Sequence, residues 1–196
     1  DYAEVLAKCK GRPEAQLLQT VMLRSLRQAV YSPNNLGHFG LAYDGYTHFT
    51  SPIRRYPDLL VHRAIKAALN GKKYNPGSWT ELGGHCSMTE RRADEATRDV
   101  DAWLKCYYMR DRVGESFEGT VSSAVAFGIF VSLDGLYVEG LVHVSDLGSD
   151  YFHFDPAKHL LLGERTGRRF RIGDRVRVKV VRVDIESSKI DFVLDD

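Results

Sequence analysis

Two adjacent arginines, Arg54 and Arg55, stand within NNLGHFGLAYDGYTHFTSPIRRYPD, residues 34–58. A guanidinium is planar and permanently charged, and its fork of donors matches a phosphodiester. The segment is rich in Gly, aromatics and turn formers, and it lacks a helical period. Pro52 and Pro57 push Ser51 and Tyr56 out of the helical region, so short strands and loops are expected. Loops set on rigid helices are where binding groups tend to sit. Further along, Phe127 and Phe130 flank Gly128, and His143 follows. Rings on a strand face can stack unpaired bases, although Phe on a strand is also a common core residue. Another candidate is the run Arg165, Arg168, Arg169, Arg171, Arg175, Arg177, Lys179 and Arg182, interrupted only by Asp174. It reads equally as a phosphate track or as a solvated strand face.

Two kinds of periodicity must position these groups. In the first half, Pro13 suits a first helical turn, and Leu18, Val21, Met22, Leu26, Ala29 and Val30 recur at steps of three and four. Asp58 is expected to begin a second helix carrying Leu60, Val61, Ala64, Ile65 and Ala68, closed by Gly71. Ser87 and Glu90 have capping-box spacing ahead of a stripe of Ala93, Ala96, Val100, Trp103, Leu104 and Tyr107. All three stripes are expected to be core. From Phe117 the period becomes two: FEGTVSSAV, GIFVSL, YVEGLVHVS, RVRVKVVRVD and KIDFVL read as strands, with Asp134-Gly135 a hairpin turn signal. Five short strands suit a small closed barrel of the OB type, interrupted by an insert over residues 148–170. The fold class is therefore α+β, a helix-rich region followed by an all-β OB-fold barrel.

Composition narrows the function classes. The chain has 196 residues, 27 basic against 26 acidic, and is 43% hydrophobic, as expected of a globular protein. No apolar run is long enough for a membrane span, so no membrane partner is expected. The opening DYAEVLAKCK lacks a basic region leading into an apolar block, and its start at Asp reads as a cut inside a longer protein. Cys9, Cys86 and Cys106 form no CxxC pair, which favours ordinary thiols in a reducing, cytoplasmic setting. No metal site is expected from them or from the histidines.

GTVSSAVAFGIFVSLDGLYVEGLVHVSDL with IGDRVRVKVVRVDIESSKIDFVL resembles an S1-type OB-fold RNA-binding domain, carried by Gly119, Phe127-Gly128, Phe130, the run Gly140 to Ser145, and Gly173-Asp174. That resemblance implies that Phe127, Phe130 and His143 face RNA, with Asp184 and Lys189 on the last hairpin. HFGLAYDGYTHFTSPIRRYPDLLVHR, residues 38–63, resembles the closing part of the catalytic RNB domain of the ribonuclease II family. RRADEATRDVDAWLK, DYFHFD and GERTGRRFRIGD resemble one bacterial branch of that family. The implied organisation is the carboxyl-terminal part of an RNB domain over residues 1–112 and an S1-type domain over 115–196.

The family resemblance further implies a processive 3′→5′ exoribonuclease that hydrolyses single-stranded RNA to nucleoside 5′-monophosphates. Arg54 is the implied catalytic residue, an electrostatic stabiliser at the phosphate near the scissile bond, and Arg55 a further RNA-binding candidate. The reaction implied is magnesium-assisted attack of water on phosphorus. Mg²⁺ needs several close carboxylates, and the family's dense aspartate motif is absent from this sequence. Asp99 and Asp101 point to different faces of a helix, and Asp195 and Asp196 read as a frayed end. The expected partners are single-stranded RNA and the remainder of the same polypeptide, with no further copy of the chain. The fragment alone is expected to bind RNA without cleaving it. Two other readings stay open: a non-catalytic S1-type RNA-binding module and a degraded paralogue kept as a structural partner.

Overall fold

The computed structural model describes residues 2–10 and 15–195. Backbone contacts group the chain into two compact units, residues 27–97 and residues 1–26 with 98–196. The helices are α1 (Tyr2–Cys9), α2 (Ala15–Ser25), α3 (Tyr56–Leu69) and α4 (Trp79–Met109), the last belonging partly to each unit.

The second half of the chain forms β1 (Ser116–Val125), β2 (Gly128–Leu133), β3 (Glu139–His143), β4 (Phe152–Asp155), β5 (Leu160–Gly163), β6 (Arg169–Arg171), β7 (Arg175–Asp184) and β8 (Lys189–Leu194). Five of these close a barrel in the order β1-β2-β3-β8-β7, and β4, β5 and β6 form a separate antiparallel sheet within the expected insert. The barrel follows from strict alternation. Val121, Ile129, Val131, Val142, Val178, Val180 and Phe192 point inward and are buried, each contributing about 1.5–3 kcal/mol by the usual transfer scale. Cys106 and Met109 near the end of α4, and Phe152, Leu161 and Phe170 of the insert, join the same core. Burial pushes the Cys106 thiol upward, so it packs as a neutral side chain.

Two bulges break the alternation. Register shifts between Val121 and Ser123, and between Val180 and Arg182, leave Ser122 and Val181 as extra residues. The second explains why an apolar Val181 is exposed on an otherwise alternating strand. The Asp134-Gly135 turn belongs to a longer loop than a two-residue hairpin: residues 134–138 separate β2 from β3, with Val138 O accepting from Leu133 N at 2.8 Å.

The helices depart from their expected limits in instructive ways. Pro13 lies outside the described residues, and α2 stops at Ser25, so Leu26, Ala29 and Val30 are exposed beyond it. Helix α3 starts at Tyr56, with Pro57 in its first turn, so Asp58 lies inside the helix. Its end is as expected: Lys72 N reaches Ala67 O at 2.8 Å and Gly71 N reaches Ala68 O at 2.9 Å, a Schellman closure. Ser87 caps nothing, because α4 begins eight residues earlier; Ser78 Oγ accepts from Glu81 N at 3.2 Å instead. Ser87 Oγ donates to Gly83 O at 2.8 Å and accepts from Tyr31 N at 2.9 Å. The apolar stripes are largely not core. Val100, Trp103, Leu104 and Tyr107 of α4 and Ile65 of α3 are exposed, while Leu60 is buried. An amphipathic face is buried only where another layer covers it. Asp195 is not frayed: its carboxylate pairs with Arg177 Nε at 3.2 Å.

Candidate nucleic-acid interface

The outer face of β2 and β3 gathers the aromatic candidates. Phe130 is registered against Leu141, and Gly128 against His143, so Phe130, Leu141 and His143 share one surface. Phe127 precedes Gly128 in the β1–β2 turn. Gly128 holds φ +155°, and a Cβ there would lie 2.2 Å from Val142 O, so only glycine lets the turn approach β3 this closely. The Phe127 and Phe130 rings meet edge-on, with centroids 6.2 Å apart and planes at 87°. Phe127 is 51% exposed and Phe130 half-buried; neither belongs to the core. His143 is exposed, with Nδ1 2.8 Å from Ser145 Oγ. Nδ1 also accepts from Ser145 N at 3.3 Å, so both contacts engage the same ring nitrogen.

Asp184 and Lys189 face each other across the β7–β8 hairpin. The Ser187 amide, donating at 3.0 Å, and the Ser187 hydroxyl hold the Asp184 carboxyl below the usual carboxylate range. Leu141 is registered with Asp191, and Asp191 with Arg182, which extends the Phe130 row across β8 to β7. Lys189 lies two residues before Asp191 on β8, on the same outward face. In an OB fold the β2–β3 face and the loops flanking it are where oligonucleotides bind. Half of the basic run is ion-paired. Arg171 pairs with Asp174 at 3.1 Å, Arg175 with Asp134, Arg177 with Asp195 at 3.2 Å and Arg182 with Asp184 at 3.3 Å. The solvated-face reading accounts for these four.

In the other unit, the SPIRR segment is a tight turn. Ser51 O accepts from Arg54 N at 3.3 Å and from Arg55 N at 2.9 Å. The two arginines part company there. Arg54 is exposed and makes no ion pair among the described residues, whereas Arg55 turns inward onto Asp58. Arg55 Nη2 donates to Asp58 Oδ2 at 2.9 Å, and Nε lies 2.8 Å from Oδ1 as an ion contact whose angle leaves both atoms without a hydrogen bond. Asp58 is fully buried. Burial alone would raise its pKa, but the Ser51 amide and the Arg55 guanidinium outweigh that and hold it below the usual range. Arg55 is thus placed to brace the turn, and Arg54 to reach out of it.

The chain is 54% identical to ribonuclease R of Escherichia coli (strain K12) over 207 residues, covering 99% of this chain and 26% of that protein. Over nearly its whole length the chain is similar to ribonuclease R. Ribonuclease R of Vibrio cholerae is 50% identical over 208 residues, covering 99% of this chain and 25% of that protein. Ribonuclease R of Aquifex aeolicus is 45% identical over 197 residues, covering 98% and 28%. The chain therefore spans about a quarter of the length of these curated ribonuclease R relatives. The RNB domain family matches residues 1–71, which include the SPIRR turn, and the S1 RNA binding domain family matches residues 110–194. The apo form of Mycoplasma genitalium RNase R superposes with a TM-score of 0.86 at 29% identity, covering 99% of this chain and 31% of that chain. The same protein in complex with ribose methylated single-stranded RNA gives a TM-score of 0.85 at 28% identity, again covering 99% and 31%.

Some features of this ribonuclease R-like site lay outside the sequence reading. Leu141 follows from period two counted back from His143. Asp58 as the partner of Arg55 carried a signal in its i, i+3 spacing, available once the helix is started at Tyr56. Among the described residues no three or more His, Cys, Asp or Glu side chains are grouped to hold a metal ion. Among the described residues the one fully buried carboxylate, Asp58, is already neutralised by Arg55. These residues do not fit a magnesium site.

Proposed function

We propose that the chain is the RNA-holding part of a processive 3′→5′ exoribonuclease that releases nucleoside 5′-monophosphates from single-stranded RNA. The observation that carries this is the pairing of an outward Phe127–Phe130–His143 face with an outward Arg54 on the SPIRR turn, in a chain similar to ribonuclease R over nearly its whole length. Phe127 and Phe130 stack bases, and His143 and Lys189 add polar contacts along the barrel face. Arg54 meets the phosphate near the scissile bond, where its charge opposes the negative charge on the phosphoryl oxygens. Magnesium, in this reading, is held by carboxylates in another part of the longer polypeptide, so the chain alone binds RNA without shortening it. The three free cysteines agree with a cytoplasmic setting, and the enzyme acts as a monomer.

A time course with 5′-labelled single-stranded RNA and Mg²⁺, run on native and denaturing gels, tests the division of labour. The expected result is a shift on the native gel with RNA still full length on the denaturing one. Progressive shortening from the 3′ end would place the metal site within this chain and overturn it. The alternative reading, a non-catalytic RNA-binding module, draws on the barrel face alone. An Arg54→Ala change in the full-length protein separates the two, because unchanged turnover removes Arg54 from the mechanism.

A further inference from the structure

We propose that His62 and Asp58, one helical turn apart on α3, act as positioning residues that clamp both flanks of the SPIRR turn and so aim Arg54. The proposal rests on the role given to Arg54 above. On the upstream flank, His62 Nε2 lies 2.9 Å from Phe49 O. A carbonyl oxygen only accepts, so Nε2 carries the hydrogen and donates it. The same imidazole stacks flat on the Phe49 ring, with centroids 4.4 Å apart and planes at 3°. At the turn itself Asp58 holds both ends: its Oδ2 accepts from Ser51 N at 3.0 Å at the start, and its carboxylate holds the Arg55 guanidinium at the finish.

Between Ser51 and Arg55 only Pro52, Ile53 and Arg54 remain, and the turn is closed over them by the two bonds to Ser51 O. Pro52 has its φ fixed by the ring, while Ile53 is wholly exposed and packs on nothing. The Arg54 backbone is therefore set by the helix through Ser51 and Arg55 rather than by any contact of its own side chain. The spacing of Asp58 and His62 is i, i+4, which places both on one face of α3. That face alone supplies the anchors on both sides of the turn. A catalytic cation on an exposed loop needs this, because misplacing a reacting group by about 1 Å can cost on the order of 100-fold in rate.

The test is a double-mutant cycle in the full-length protein, with kcat and KM measured on 5′-labelled oligoadenylate. His62→Ala is expected to lower kcat roughly 10- to 100-fold with KM little changed, the size that misplacement produces. In an Arg54→Ala background it should cost nothing more. His62→Gln, which keeps a side-chain N–H for the Phe49 carbonyl, should recover most of the loss. Full activity in Arg54→Ala alone would overturn the role of Arg54 and this proposal with it. A crippled Arg54→Ala beside a normal His62→Ala would overturn the clamp only, as would additive losses in the double variant or a glutamine no better than alanine. Should His62→Ala fail to fold, Phe49→Leu, which removes the stack alone, carries the same cycle with the same outcomes.

Discussion

Phe127 and Phe130 touch edge-on yet stand in different surroundings: Phe127 is half out in solvent, whereas Phe130 sits half-buried on β2. Phe127→Ala should weaken binding of single-stranded RNA by about 1–3 kcal/mol, the usual cost of one stacked base, with the urea midpoint unchanged. Phe130→Ala should lose binding and stability together. Fluorescence anisotropy beside a urea melt separates the two effects. Unchanged binding in both variants, with the barrel still folded, would remove the rings from the interface.

Gly140 has no room for a side chain. A Cβ there would lie 2.5 Å from the Phe192 ring and 2.8 Å from Ile190 O, and the backbone atom cannot swing aside. Gly140→Ala should destabilise the barrel by about 1–3 kcal/mol or more, the usual cost of overpacking. A lowered urea midpoint at constant slope is the expected outcome.

Acid should act on the insert through Asp150. Its carboxylate accepts from the Thr166 hydroxyl, from Thr166 N at 2.8 Å, from Arg165 N at 3.1 Å and from Tyr151 N at 2.8 Å. Those bonds hold its pKa down at about 2 in the folded chain. A depressed folded pKa contributes stability that is fully present above the unfolded value near 4 and is lost as pH falls toward about 2. Thermal melts between pH 5 and about 2 should therefore fall more steeply for the wild type than for Asp150→Asn. Parallel curves would show that the bonds do not favour the ionised form.

Charge on the barrel should divide between stability and binding. Arg175 is tied to Asp134 and to Thr120 Oγ1 at 2.9 Å, so Arg175→Ala should lower the melting temperature and leave RNA affinity nearly unchanged. Lys189, exposed on the hairpin facing Asp184, should behave oppositely. Lys189→Ala is expected to reduce the slope of log K against log salt by about 1, the signature of one lost phosphate contact. Salt titrations of both variants check the assignment.

The barrel strands were legible because period two and a buried face state the same thing locally: β2, β7 and β8 occupy the stretches that GIFVSL, RVRVKVVRVD and KIDFVL mark out. The short insert strands β4, β5 and β6 were not, since three or four residues carry too little alternation to count. The α4 stripe shows a different limit. Helical spacing tells which face of Val100, Trp103 and Tyr107 is apolar, but not whether another layer covers it. The start of α4 failed for a related reason. Ser78-Trp79-Thr80-Glu81 and Ser87-Met88-Thr89-Glu90 share one capping pattern, and only Pro76-Gly77 just upstream marks the first as the true beginning. At the SPIRR turn the sequence singled out both arginines. The buried charge of Asp58 decides which of them is free to reach a ligand.

The parallel pairing of β3 with β8 joins Leu141 to Asp191, with the whole insert and β7 lying between them in the chain. Closing that contact loses the entropy of a long loop, so it is expected among the last steps of folding. Until β8 arrives, β3 and β7 each present an open hydrogen-bonding edge, that of β7 lined by alternating valines. The final six-residue strand Lys189–Leu194 thus acts as the molecule's own edge protector. A chain that loses it leaves a ready template for strand-to-strand aggregation.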